Sequence, residues 1–515
     1  MNAGKSHHGH QISGQMGLFV KIPEKGKFMF LDSGWMDEIT QECLNGTLEE
    51  NEYKKKNIIV VGDIDKDVVK KLDGVRGVAN KELTPELAFN LGKAGAYVLK
   101  SKNERPRVII GKDTRISGDM LENALAAGIL AVGGDVIKVG VITTPAVAYL
   151  AKHYNADAGV VISASHNTFE YNGIKFFNGE GYKLDDLLEE KIEDIIISSV
   201  DVNSHITGDL IGTCDDASKT AAELYIKHLL ETVDFRLDGM NIVLDCANGA
   251  SYEIAPKVYE ALGAKVTVIG NNPNGININD GCGSTHPEKL AEKVKEVNAD
   301  IGLAYDGDAD RLIVVDEKGK VIDGDRVIAI CARILKEQGR LAENKVTVTV
   351  MSNIGFHKAM KESDIEVEVT GVGDRYVLES MLETGCVIGG EQSGHIIFRE
   401  YATTGDGVLS SLQFMDAIKG STKPLSEMAE EIEIFPQVLV NARINNDYKK
   451  TYMKDADVAA MIKDIEEQMA GNGRVLIRPS GTEPLVRVML EGDDIDQLNT
   501  LARKLADLLE EKFNI

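Results

Sequence analysis

Residues 304–312 read AYDGDADRL and place three carboxylates, Asp306, Asp308 and Asp310, on alternate positions. Carboxylates this close repel one another. At about 4 Å and an effective dielectric near 20, each pair costs about 4 kcal/mol. An exposed turn could relieve that by spreading its side chains into water. This turn lies between the apolar runs ADIGLAY and LIVVDE, so it sits between strand-like segments. Hard oxygen donors with small neighbours suit Mg²⁺, particularly where a phosphate oxygen completes the shell. The loop is too short for an EF-hand and lacks its closing glutamate. A second stretch, GVVISASHN at 159–167, runs from a buried-strand pattern into Ser165, His166 and Asn167. A serine at the carboxyl end of a buried strand can present its hydroxyl where α/β proteins bind ligands. Lys175 follows in NGIKFF. No G-x-S-x-G elbow is present, which argues against an α/β-hydrolase. The plain alternative is a strand-ending turn in which Ser and Asn satisfy backbone groups.

Three further stretches carry polar chemistry. In RPSGTEPLVR, 478–487, the residues Ser480, Gly481 and Thr482 offer N–H groups and hydroxyls to an anion, and Arg478 and Arg487 bracket them with forked charge. The alternative is a hairpin with incidental arginines. In GGEQSGHIIF, 389–398, Glu391 and Ser393 stand between glycines that allow close backbone approach to a polyol; a tight turn explains the pattern equally well. In TGVGDRYV, 370–377, Gly371, Asp374 and Arg375 are candidates for ligand contact. The last two could instead pair with each other.

The elements that would position these groups follow from a repeat. Residues 107–140, 241–270 and 346–373 each read as strand, polar turn, helix, strand, which is a βαβ-type unit. Each helix follows a turn containing Ser or Asn, a candidate cap. The last ~80 residues differ: two hairpin-like strands around the RPSGTEP loop, a preceding strand, and two helices. The expected architecture is three related α/β domains with mixed sheets plus a C-terminal α+β domain around a central cleft. The expected boundaries are an extension at 1–56, folded or disordered, then units at 57–212, 213–318, 319–430 and 431–515. The serine, the acidic loop, the Glu391 loop and the arginine loop then fall in successive units, and a cleft where they meet would collect them.

Composition narrows the function classes. The 515 residues carry 57 Lys plus Arg against 82 Asp plus Glu, a net charge of −25, with 27% charged and 43% hydrophobic residues. That charge argues against unaided binding to nucleic acid or anionic membranes, although a small anion needs only a few local cations. Cys43, Cys214, Cys246, Cys282, Cys331 and Cys386 are scattered without a C-x-x-C pair, as in a reduced, cytoplasmic protein. No run is apolar enough to span a membrane, and the N-terminus lacks the apolar core of a signal peptide. His7, His8 and His10 read as a metal-binding cluster or a polar tail.

Taken in order, DGVRGVAN (73–80), GKDTRISG (111–118), SASHN (163–167), DCANGA (245–250), CGSTHPE (282–288), DGDADR (306–311), GDRYV (373–377), GEQSGH (390–395) and RPSGTEPLVRVM (478–489) resemble the α-D-phosphohexomutase superfamily, and within it the bacterial phosphoglucosamine mutases. The resemblance covers roughly residues 73–515. It implies a phosphoryl group carried on Ser165, and Mg²⁺ held by Asp306, Asp308, Asp310 and a phosphoserine oxygen. It implies an isomerase that moves phosphate between O6 and O1 of a sugar through a 1,6-bisphosphate. Lys175, ahead of His166, is the candidate general acid/base, and Arg311 neutralises charge. Glu391 and Ser393 bind sugar hydroxyls, with Gly371, Asp374 and Arg375 as further substrate contacts. Arg478, Ser480, Gly481, Thr482 and Arg487 hold the phosphate that is not reacting. Gln392 points to glucosamine 6-phosphate and glucosamine 1-phosphate as the pair interconverted, a step toward UDP-N-acetylglucosamine. Glucosamine 1,6-bisphosphate or glucose 1,6-bisphosphate is the implied activator, a small phosphosugar the implied partner, and a monomer or homodimer the implied assembly. A phosphomannomutase/phosphoglucomutase, or a phosphosugar-binding protein with impaired turnover, are the alternatives; a haloacid-dehalogenase-type phosphatase would place its Asp-x-Asp far earlier. Two departures stand out. Thr168 replaces the usual proline after SASHN. VVKKL replaces the usual FGT before Asp73, so that NIIVVGD at 57–63 either substitutes for the missing strand or belongs to the extension. The placement of Arg76 depends on that segment.

Overall fold

The computed structural model describes residues 74–100, 105–198, 202, 206–449, 451–469, 472–480 and 484–514, together with the backbone of three strands before them. Those strands, His10–Ile12, Gln15–Lys21 and Phe28–Asp32, form a small antiparallel sheet within the segment expected to be an extension. The candidate strand at 57–63 lies outside the described residues.

All three predicted βαβ units form, and each pairs its two strands in parallel: Arg107–Lys112 with Asp135–Val141, Asn241–Asp245 with Lys265–Ile269, and Lys345–Thr349 with Glu366–Thr370. The helices between them are Gly118–Ala131, Ile254–Ala261 and Ile354–Glu362. Capping follows the prediction in one case. Asn353 accepts from the Gly355 N–H, whereas Ser117 and Glu253 make no side-chain cap bond. Ser117 instead accepts from the Asn172 amide at 2.9 Å, a long-range partner that outcompetes the local one.

The sheets continue from these units in a common way. Ala158–Ile162 runs parallel to Arg107–Lys112 and is followed by the antiparallel Tyr171–Asn178. Ile301–Tyr305 runs parallel to Asn241–Asp245 and is followed by the antiparallel Leu312–Val315. Ile388–Gly390 runs parallel to Lys345–Thr349 and is followed by the antiparallel Ile396–Phe398. The sheets are therefore mixed, and the turn from the parallel to the antiparallel strand recurs three times. Those three turns are the SASHN, DGDADR and GEQSGH loops. Ala158–Ile162 and Ile301–Tyr305 are buried at every position, as strands covered on both faces must be. Two strands cross the expected boundaries: Cys214–Asp216 pairs with Asp135–Val141 in the first sheet, and Val321–Ile322 closes the second. Short edge strands of two or three residues carry too little pattern to be assigned from local sequence.

One apolar cluster runs through all three α/β sheets, joining Ile109 and Val161 to Leu244 and Leu303 and to Val346 and Ile388. The C-terminal unit has its own core, built from the antiparallel sheet Gln437–Arg443, Leu485–Glu491, Arg474–Pro479 and the helices Ala456–Gln468 and Ile495–Phe513. A buried polar joint fastens it to the third unit. Glu491 is fully buried and accepts from Arg474 Nε at 2.6 Å and from the Ile354 N–H at 3.2 Å. Arg474 also donates to the Ser352 carbonyl at 2.6 Å, and the Asn353 side chain exchanges hydrogen bonds with both backbone groups of Phe435. Glu491→Ala leaves Arg474 Nε and the Ile354 N–H without their acceptor. It should destabilise the joint by about 3 kcal/mol, seen as an earlier unfolding transition of the C-terminal unit in calorimetry.

Candidate active site

Ser165 adopts a left-handed backbone conformation, φ 51°, which costs a non-glycine residue about 1 kcal/mol. A buried network holds it there. Its N–H donates to Ser163 Oγ at 3.0 Å, and Ser163 Oγ donates to Asp113 Oδ2 at 2.6 Å. Arg115 Nε donates to the same carboxylate oxygen at 2.9 Å, and both charged side chains are fully buried. Burial pushes the Asp113 carboxyl upward while Arg115 pulls it down. The guanidinium then reaches three carbonyls of the loop: Ser165 at 3.0 Å, Asn167 at 2.8 Å, and Thr168. Asn279 Nδ2, from the second unit, donates to the Ser165 and Asn167 carbonyls at 2.8 and 2.9 Å. Thr168 contributes a carbonyl that any residue supplies, so the missing proline leaves this clamp intact.

Ser165 Oγ donates to Asp306 Oδ2 at 2.6 Å across the boundary between two units. The acidic loop meets the serine loop so closely that a Cβ on Gly307 would lie 2.6 Å from the Ser165 carbonyl. Asp306, Asp308 and Asp310 are all buried, and one oxygen from each lies within 4.8 Å of the others. Lys175 Nζ and Thr144 Oγ1 both donate to Asp308 Oδ2, at 3.0 and 2.7 Å. The remaining oxygen of Asp308 and one oxygen of Asp310 are buried without a hydrogen-bond partner. Burial, reinforced by Asp310 and Asp308, pushes the Asp306 carboxyl well up. Burial acts the same way on Asp308, but Lys175 and the Thr144 hydroxyl outweigh it and hold that group below the usual range. Arg311 donates its N–H to Asp306 Oδ1 at 3.2 Å and carries its guanidinium 3.8 Å from Asp310. Buried carboxylate oxygens without hydrogen bonds, converging beside a hydroxyl, match the donor set of Mg²⁺. Asp306, Asp308 and Asp310 would hold it, with an oxygen borne by Ser165.

The other predicted residues divide into those that face this centre and those that do not. Arg76 lies on Val75–Val78, which pairs with Tyr171–Asn178, and its Nη1 donates to Asn167 Oδ1 at 3.3 Å. The strand Val75–Val78 therefore brings Arg76 to the serine loop. His166 Nδ1 is 3.4 Å from Ser165 Oγ; burial, Arg311 and Arg76 push its imidazole down to about 4, so it is neutral at pH 7. The Glu391 loop is strapped to the acidic loop by a bridge between Arg311 and His395 and by the Leu312 N–H, which donates to the Gly394 carbonyl at 2.9 Å. Glu391 accepts from the Gly373 N–H at 3.3 Å and acts electrostatically on both Arg311 and Arg478. Ser393 and Gly371 are exposed. Asp374 pairs with Lys183 of the first unit and with His395 of its own, and Arg375 with Asp186 of the first unit and with Glu379 of its own. Their side chains join the first and third units in this structure. Arg478 and Arg487 are direct cross-strand partners. Burial and Arg487 hold the Arg478 guanidinium below its usual range, with Glu391 opposing. Ser480 is buried and its carbonyl accepts from Lys449 at 2.7 Å. Gly481 and Thr482 lie outside the described residues.

Sequence reasoning assigned no role to Asp113, Arg115, Ser163, Thr144 or Asn279. The alternating charges in GKDTRISG were the available signal for the first two; nothing local marks Asn279. Arg115→Lys keeps the charge but cannot reach three carbonyls. It should lower kcat about 100-fold, the scale of a reacting group displaced by about 1 Å, and lower the thermal transition as well, because buried acceptors lose their donors. Isothermal titration with Mn²⁺ should find one ion per chain, and Asp310→Asn should weaken it at least about tenfold.

Matches to known proteins follow the same division of the chain. The phosphoglucomutase/phosphomannomutase alpha/beta/alpha domains I, II and III match residues 67–201, 223–319 and 323–435, and the C-terminal domain of that family matches 439–508. The phosphoglucosamine mutase of Clostridium acetobutylicum is 56% identical over 442 residues, covering 86% of this chain and 98% of that protein. The phosphoglucosamine mutase of a Thermoanaerobacter species is 57% identical with the same coverage. Among solved structures, a phosphoglucomutase/phosphomannomutase family protein from Burkholderia thailandensis superposes with a TM-score of 0.71 at 24% identity, over 88% of this chain and 99% of that one. An Aspergillus fumigatus N-acetylphosphoglucosamine mutase, solved with GlcNAc-6P and magnesium, superposes with a TM-score of 0.54 at 18% identity, over 76% and 94%. The three repeated turns, the acidic centre beside a buried serine and these matches lead to one assignment: the chain belongs to the phosphoglucomutase/phosphomannomutase family of the α-D-phosphohexomutase superfamily.

Proposed function

We propose that the chain is an intramolecular phosphotransferase that interconverts glucosamine 6-phosphate and glucosamine 1-phosphate through a phosphoserine at Ser165. The observation that carries this reading is the 2.6 Å hydrogen bond between Ser165 Oγ and Asp306, inside a buried set of three carboxylates. The choice of amino sugar rests on the phosphoglucosamine mutases at 56–57% identity. Mg²⁺, when bound, supplies positive charge to the phosphoryl oxygens.

The chain's own residues do the rest. Arg115 and Asn279 fix the loop so that Ser165 Oγ stays aimed at the acidic centre. In the first half-reaction the bond from Ser165 Oγ to phosphorus breaks and one from a sugar hydroxyl oxygen to phosphorus forms, while the hydroxyl proton passes to a base. In the second, the bisphosphate presents its other phosphoryl group, Ser165 accepts it, and the released sugar oxygen regains a proton. Phosphoryl transfer depends chiefly on positioning and charge neutralisation. Arg76, Arg311 and Lys175 supply cationic charge around the serine loop. Lys175 is the first candidate for moving the proton, with neutral His166 beside Ser165 the second. Glu391 and Ser393 receive sugar hydroxyls. Arg478, Ser480, Gly481, Thr482 and Arg487 hold the distal phosphate, so either sugar orientation meets the same anchor. Glucosamine 1,6-bisphosphate or glucose 1,6-bisphosphate primes the serine. No described helix is long and apolar enough to cross a membrane, and we place the reaction in the cytoplasm.

The test is isomerisation of glucosamine 6-phosphate by purified protein with Mg²⁺ and catalytic sugar bisphosphate, beside glucose 1-phosphate and mannose 1-phosphate. The amino sugar should be preferred at least about tenfold in kcat/KM. Ser165→Ala should lose activity at least about 1,000-fold and show no phosphoryl adduct in the intact mass. A preference for a neutral hexose would keep the mechanism and overturn the substrate. Full activity of Ser165→Ala would overturn the mechanism.

A further inference from the structure

The Glu391–Gly394 turn joins two short strands, Ile388–Gly390 and Ile396–Phe398, and its side chains do not share one direction. Glu391 accepts from Gly373 and lies within electrostatic reach of Arg311, Arg478 and His395. Ser393 is exposed. Gln392, between them, is bound to the scaffold. Its Nε2 donates to Asp323 Oδ2 at 3.2 Å, and its carbonyl accepts from the Gly324 N–H at 3.0 Å. Asp323 caps the helix Gly324–Glu337 and accepts from the Arg326 N–H at 3.1 Å with its other oxygen. The helix start and the turn are in close contact: a Cβ on Gly324 would lie 2.2 Å from the Glu391 carbonyl. Gln392 therefore attaches by two points, side chain and backbone, to a helix N-terminus that is itself fixed.

From this geometry we infer that Gln392 is a positioning residue: it sets Glu391 and Ser393 through Asp323 and does not itself read the sugar. The inference rests on the reading that Glu391 and Ser393 contact substrate hydroxyls. Those hydroxyls are common to amino and neutral sugars. A displaced turn should therefore weaken both classes alike, whereas loss of a direct contact to the amino group would change the preference between them.

An exchanged pair provides the test. Gln392→Glu sets a second carboxylate against Asp323 and should raise KM for glucosamine 6-phosphate about tenfold, the scale of one hydrogen bond to a charged group, with kcat changed less than about threefold. Glucose 1-phosphate, followed as substrate or competing ligand, should weaken by a similar factor. Asp323→Asn combined with Gln392→Glu restores an amide–carboxylate bond with its ends swapped, and Asn still caps the helix. That double variant should return KM to within about threefold of the starting protein. Gln392→Leu removes the bond without adding charge and should raise KM for both sugars in the same sense, which keeps the test readable if Gln392→Glu folds poorly. The inference is overturned if the double variant binds no better than Gln392→Glu, or if Gln392→Leu shifts the amino-to-neutral preference about tenfold or more. Absence of turnover on glucosamine 6-phosphate by the unaltered protein would instead count against the proposed substrate, and the exchanged pair would then be read on whichever phosphosugar is turned over.

Discussion

Three carboxylates buried in one turn set the terms for the rest of the site. Removing Asp306, Asp308 and Asp310 from water is costly, and their mutual repulsion adds to that cost. The chain offsets part of it with groups drawn from distant segments. Lys175 comes from the strand after the serine loop, Thr144 from the start of a helix in the first unit, and Ser165 from the serine loop itself. None of these three lies in the unit that carries the carboxylates. The same contacts that lower the electrostatic cost therefore also dock the first unit against the second. The oxygens of Asp308 and Asp310 left without a hydrogen bond mark where the compensation stops and where a cation would fit.

The three repeated turns explain why such a centre can be assembled at all. A parallel strand that ends beside an antiparallel return leaves a loop at the carboxyl edge of its sheet, where flanking strands fix both ends. The serine, acidic and Glu391 loops all occupy that position. A shared apolar cluster holds the three sheets together, and loop-to-loop contacts hold their edges. Gly307 permits the serine and acidic loops to touch, and the bridge between Arg311 and His395 joins the acidic loop to the Glu391 loop. Left-handed residues on facing loops, Ser165 at φ 51° and Ala309 at φ 57°, are tolerated because both backbones are held by these neighbours.

What could be read before folding was considered follows from how local each signal is. The buried runs around Val160 and Leu303, the βαβ periodicity and the acid triplet are properties of contiguous residues, and they correspond to observed elements. The clamp of Arg115 on the carbonyls of Ser165, Asn167 and Thr168 spans 50 to 53 positions, and the Asn279 bonds to the same loop span 112 to 114. No local pattern encodes them. Ser117 shows the same limit in reverse: a residue with good capping chemistry was taken by Asn172 from another element. Asp374 and Arg375, adjacent and opposite in charge, invited a local pairing, but their side chains bridge to Lys183 and Asp186 in the first unit.

The C-terminal unit presents the opposite electrostatic problem to the acidic loop. Arg478 and Arg487 stand directly opposite each other on neighbouring strands, a register in which like charges destabilise a sheet. Lys449 approaches the same hairpin through the Ser480 carbonyl. In a chain of net charge −25, concentrating cations on one strand pair is a local departure from the overall field. A dianionic phosphate would relieve the arginine repulsion, as a divalent cation would relieve the carboxylate repulsion across the cleft. On the proposed reading, the two ends of the site would match the two ends of a phosphosugar, the reacting phosphoryl group beside the acidic centre and the other against the arginines. The C-terminal unit has its own core and joins the third unit where Glu491 accepts from the Ile354 N–H and Arg474 donates to the Ser352 carbonyl, so the arginine pair is carried on a unit whose attachment lies in that joint and not in either charged loop.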